Sequence, residues 1–222
     1  MRETGEAFAA RFGLDAEWVL IPRFADLIGA LNAGDGDIVV TNLTQTDSRE
    51  ATVAFSLPVD HVEEWVLVRR DAPPINRVED LGALRVVVPE GSAYAESLET
   101  VATAETILGD SAAGPDGMLD LVVSGDADAT VMDSNQARGL AGYRDDFRHA
   151  WTLPGTRNLA WGVRKENADL LLSLNLFLSE LKLAGREATY TEDLSALRTR
   201  GRLRVIMRNG PATYFLWKGE LR

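Results

Sequence analysis

GDIVVTNLTQTDSREATVAFSLPV, residues 36–59, changes character three times in 24 positions. A short run of β-branched and apolar residues, IVV, is followed by the polar loop TNLTQT. A turn of helix-start type, TDSREA, comes next, and FSLP closes the stretch with a proline stop. Just upstream, Phe24, Leu27, Ile28 and Leu31 fall at i, i+3, i+4 and i+7, the single apolar stripe of a helix, and Gly34 is placed to end it. A helix delivering a buried-type strand, and the strand delivering a polar loop, is the repeating unit of an α/β protein.

The same alternation runs outward in both directions. GEAFAARFG reads as the end of a helix stopped by Gly13, and WVLIP after it as a strand. EEWVLVRR is a longer strand. LRVVVPEGSAYAESL reads as strand, glycine turn and helix; GMLDLVVSGDADATVMDSNQARGLAG as helix, turn, strand and helix. ADLLLSLNLFLSELKLAG is a strongly apolar helix of about four to five turns. Two stretches break the pattern, DAPPINRVEDLGA and TLPGTRNLAWGVRKEN, and both read as crossings. They divide the chain into two lobes, the second inserted in the first: 1–70 and 158–222 form one, 71–157 the other.

Composition narrows the function. The chain has 222 residues, 45% of them apolar, enough for a real core. Its net charge of −11, with no compensating basic cluster, argues against nucleic acid or an anionic membrane surface as partner. No cysteine is present, which removes disulfides, thiolate metal sites and cysteine nucleophiles. His61 and His149 are the only histidines, too few for a structural zinc site or a convincing Ser-His-Asp set. No cofactor is expected: there is no P-loop and no dinucleotide-binding glycine fingerprint. No apolar run reaches 18 residues, and the first residues do not read as a signal peptide, so either the protein is cytosolic or an export signal is missing from this sequence.

The segments just quoted carry a resemblance. Gly36-Asp37, the Thr-rich loop 41–46, Arg49 and Phe55-Ser56-Leu57-Pro58 resemble the extracytoplasmic solute-binding proteins of family 3, which capture amino acids. VVVPEGSAYAESL and GDADATVMDSNQA are similar to the family's second-lobe segments, and LAWGVRKENADLLLSLNLFL to its return strand and closing helix. Near the end, LRVIMRNGPATYF (203–215) resembles the first strand and turn of one subgroup, the sensor-like domain at the front of membrane-bound lytic murein transglycosylase F, with Gly210 where the subgroup has Ser. The resemblance implies a two-lobed, periplasmic-binding-protein-like (type II) fold in circularly permuted order. A fragment spanning two tandem copies would give the same order.

The resemblance also implies a site. A free amino acid is a zwitterion and needs a cation and an anion a few ångströms apart, and the planar fork of an arginine suits a carboxylate. Arg49 stands where the family places that arginine, next to Asn42 and Thr44; the plainer alternative is an exposed arginine on a first helical turn. Asp133 is the implied ammonium acceptor, or a simple helix N-cap. Ser92 is implied opposite Arg49 on the same carboxylate, or is itself an N-cap; Ala93 replaces a hydroxyl often found next to it, at a cost of about 1 kcal/mol. Phe24 and Tyr214 are implied around the ligand side chain, with core packing as the alternative for Phe24 and simple packing on the strand turn as the alternative for Tyr214. Pro211 departs from the aromatic many amino-acid binders place near there.

The function implied is a non-catalytic module closing on an amino acid or small peptide-like ligand, monomeric or strand-swapped, extracytoplasmic, and serving a permease or an attached cell-wall lytic domain. No lytic domain is read within these residues. An enzyme on the same scaffold, of prephenate or arogenate dehydratase type, would call on Asp133 or Glu96. A scaffold that has lost ligand binding is the third alternative.

Overall fold

In the computed structural model, which describes residues 1–101, 104–191, 216–217 and 220–221, helices and strands build two sheets. The first is assembled on β9 (Arg157–Val163), which pairs antiparallel with β1 (Ile38–Thr44), β2 (Ala54–Phe55) and β3 (Asp60–Val62). The second has five strands in the order β6-β5-β7-β4-β8, where β4 is Glu64–Arg69, β5 Arg85–Pro89, β6 Glu105–Gly109, β7 Ala129–Asp133 and β8 Phe147–Thr152. β6, β5 and β7 run parallel; β4 is antiparallel to both of its neighbours, β7 and β8. A short hairpin, β10 (Leu216–Trp217) with β11 (Glu220–Leu221), completes the strands.

Alternation along β1 sorts its side chains between two cores. Ile38 and Val40 join a cluster of Phe8, Trp161, Leu174 and Phe177 beneath α1 (Arg2–Arg11) and α7 (Ala168–Thr191). Val39 and Leu43 pack on the opposite face with Leu31 of α2 (Leu27–Ala33) and Val53. The stripe starting at Phe24 is a 3-10 turn, Phe24–Asp26, that runs on into α2, and Gly34 ends it at φ 90°. The second sheet buries Val66, Leu67, Val87 and Val131 against Met118, Leu119 and Val122 of α5 (Gly114–Ser124).

Two expectations are corrected. The sequence pattern puts the first crossing at residue 71, with EEWVLVRR in the first lobe. That strand is β4, fourth in the second sheet, so the chain crosses at Glu63, between β3 and β4. A buried-type strand does not declare which of two sheets it joins. WVLIP is not a strand: residues 14–20 have no regular structure, and Leu20 is 87% exposed. Strand propensity forms nothing without a neighbouring ladder. The stretch 203–215, on which the permuted order rests, lies outside the described residues, as does Tyr214.

Candidate functional site

The polar loop after β1 leads directly into α3 (Asp47–Glu50), capped by Thr46, whose hydroxyl accepts the Arg49 N–H at 3.4 Å. That turn aims Arg49 inward, and it is only 8% exposed, which removes the surface alternative. One guanidinium nitrogen, Nη1, donates to the Thr44 carbonyl at 2.8 Å. The other, Nη2, crosses to the second lobe and donates to the Gly91 carbonyl at 2.8 Å. The guanidinium lies 5.4 Å from the centre of the Phe24 ring. Burial lowers its pKa, while Glu96, Tyr94 and Asp133 pull the other way.

A cleft of about 450 Å³ opens beside it, between the lobes. Phe24, Asn42, Thr44 and Arg49 line it from the first lobe; Ser92 and Tyr94 line it from the second. Asn42 and Thr44 share one face at the end of β1 because they are two residues apart. Phe24 also packs on the Leu31–Leu43 cluster, the core packing given as its alternative.

Asp133 ends β7 and stands at the start of α6 (Ser134–Ala141), but its side chain makes no capping hydrogen bond. It lies behind the cleft wall, 1% exposed, its backbone N–H donating to the Tyr94 hydroxyl at 3.1 Å. Burial raises its pKa to about 7; the Glu64 and Asp60 carboxylates add to the rise, and the Tyr94 hydroxyl and Arg49 oppose it. Ser92 does not cap α4 (Tyr94–Val101) either, since Ala93 stands between them. Three buried oxygens around this region, Asn42 Oδ1, Ser92 Oγ and Asp133 Oδ1, find no hydrogen-bond partner among the described residues. Buried polar atoms are rarely left so.

Several contacts join the lobes here. Ser48 donates to Glu96 at 2.7 Å, and Arg23 pairs with Glu90. Arg157, on β9, donates to Glu64 at 3.1 Å and to Ser97 at 2.9 Å. Gly91 has φ 75°, and a Cβ placed on it would fall 2.8 Å from the Ala25 Cα, so only glycine lets the two backbones meet. The Gly91 carbonyl and the Arg157–Glu64 pair were not foreseen. A sequence signal existed only for Glu64, an acid opening a strand whose next four residues are apolar.

The sequence model of the bacterial extracellular solute-binding proteins, family 3, matches residues 2–193. The chain belongs to that family. The membrane-bound lytic murein transglycosylase F of Maricaulis maris is 34% identical over 165 residues, 72% of this chain and 36% of its own length. This family 3 chain spans 36% to 41% of the length of the first such relatives. Among solved structures, the arginine-bound form of truncated ArgBP from T. maritima superposes with a TM-score of 0.74 at 28% identity, over 81% of this chain and 84% of that one. The ancestral amino-acid-binding protein AncCDT-1, described as a precursor of cyclohexadienyl dehydratase, gives 0.69 at 27% identity, over 83% and 79%. The two-lobed type II binding-protein fold of this family 3 chain is the fold of those neighbours. The match leaves the permuted order unshown, because residues 203–215 lie beyond it.

Proposed function

We propose that this chain is a binding or sensor module that closes its lobes on an amino acid or small peptide-like ligand. The observation that carries the reading is the buried Arg49 guanidinium spanning the cleft from the Thr44 carbonyl to the Gly91 carbonyl. It stands beside the unpartnered oxygens of Asn42 and Ser92. A ligand carboxylate would take the guanidinium and the Ser92 hydroxyl, and the ammonium would draw on Asp133. A ligand held by both lobes favours the closed arrangement by the difference in its affinity for the two states. The strand crossings at Glu63 and at residues 153–156 would serve as hinges. The likeness to transglycosylase F supports an extracytoplasmic setting in which the module regulates an attached cell-wall lytic domain; delivery to a permease is the alternative.

Thermal unfolding against amino acids and short muropeptides, each at about 1 mM, tests this. A ligand at about 100 times its Kd adds about 2.7 kcal/mol. The expected result is a shift with one ligand class that disappears in Arg49→Ala and in Asp133→Ala. No shift with any compound removes the reading.

A second reading, an enzyme, is favoured by one observation: an Asp133 carboxyl that titrates at about 7 is suited to proton transfer near neutral pH. Turnover of prephenate or arogenate, abolished in Asp133→Asn, would establish it.

A further inference from the structure

We infer that the ligand's side chain is uncharged and largely apolar, so that leucine or methionine fits this cleft and arginine or lysine does not. The inference rests on the amino-acid reading above and concerns the part of the ligand beyond its two charged groups. Among the described residues that line the cleft, Arg49 is the one with a charge. If Arg49 takes the carboxylate, the one charge that lines the cleft among the described residues is committed, and Asp133, just behind the wall, is committed to the ammonium. Glu64 is held by Arg157, and Glu96 is exposed and accepts the Ser48 hydroxyl; neither lines the cleft.

What remains for the side chain is apolar on both sides. Ile21, Pro22 and Leu27 form the wall from the first lobe, and Pro115 and Met118 the wall from the second. Pro115 is fixed at the start of α5, and Met118 follows one turn later on the same helix. Ser111 and Gln136 also line the cleft and offer hydrogen bonds without charge. A volume of about 450 Å³ lies toward the small end of ligand pockets, which span roughly 300–1,000 Å³. Among the described residues, a guanidinium or ammonium set against this wall would lose its hydration and meet no anion, whereas an aliphatic chain would be removed from water at no electrostatic cost.

Calorimetric titration of the full chain with L-leucine, L-methionine, L-arginine and L-lysine tests the inference. Leucine or methionine is expected to bind at least about tenfold more tightly than either cationic amino acid. Leu27→Asp puts a carboxylate on the wall at the first position of α2, where an acid suits the helix start. With its fold checked by circular dichroism, it should lose leucine affinity and gain arginine affinity, each by about tenfold. Arginine or lysine binding as tightly as leucine would overturn this inference and leave the amino-acid reading standing. A folded Leu27→Asp with an unchanged leucine-to-arginine ratio would overturn the placement of the side chain. No binding by any of the four would overturn this inference, and no shift with any amino acid or muropeptide in the unfolding panel would remove the proposed function with it.

Discussion

Asp133 is a residue whose ionisation the fold controls. Its carboxyl moves from 3.8 to about 7 because burial disfavours the charged form. Between those two values the folded chain holds the proton that the unfolded chain has released. Folding stability therefore falls as pH rises from about 4 to about 7, and the whole loss, on the order of 4 kcal/mol, is present above 7. Asp133→Asn removes the titration. In urea unfolding, its stability relative to the parent should climb across pH 4 to 7 and level off above; a pH-independent difference would mean the carboxyl is not held protonated. The sequence placed Asp133 correctly at a strand-to-helix junction. It did not reveal the titration, which depends first on burial in the folded chain and then on Glu64 and Asp60, 69 and 73 residues earlier.

At the scale of elements, what was legible is what local pattern controls. The helical stripe from Phe24 to Leu31, the Thr46–Arg49 turn and the β5–α4 and β7–α6 junctions all lie where apolar period and turn chemistry put them. What was not legible depends on distant partners. β4 is apolar enough for any sheet, and only its pairing with β7 and β8 assigns it to the second lobe. Its Leu67 is fully buried among Val87, Val131 and Leu119. Leu67→Ala should therefore cost about 2–5 kcal/mol in chemical denaturation, as a large-to-small change in a closed core does. A cost under 1 kcal/mol would place β4 at a loose edge instead. Within the candidate site, Phe24, Asn42, Thr44, Arg49 and Ser92 were named from sequence and meet at one cleft. The Gly91 carbonyl was missed because no residue type announces a backbone acceptor.

Across the whole molecule, Arg157 and Glu64 tie the first sheet to the second. Glu64 is 1% exposed, and Arg157 is the cation beside it, also bonded to Ser97 of α4. Removing the cation alone strands a buried charge. Arg157→Met should destabilise by about 3–5 kcal/mol, and adding Glu64→Gln should restore a large part of it. A double-mutant cycle read by urea unfolding checks this; additive losses would show that the pair does not couple the lobes.

The meeting of Gly91 with Ala25 limits how this site can diverge. The Arg23–Glu90 pair next to it is half exposed and could be swapped or lost with little effect. Position 91 has no such latitude. Even asparagine, which otherwise tolerates a left-handed backbone, carries a Cβ that would meet the main chain of the opposite lobe. New ligand preferences must therefore arise in the side chains lining the cleft, while the seam between the lobes stays fixed.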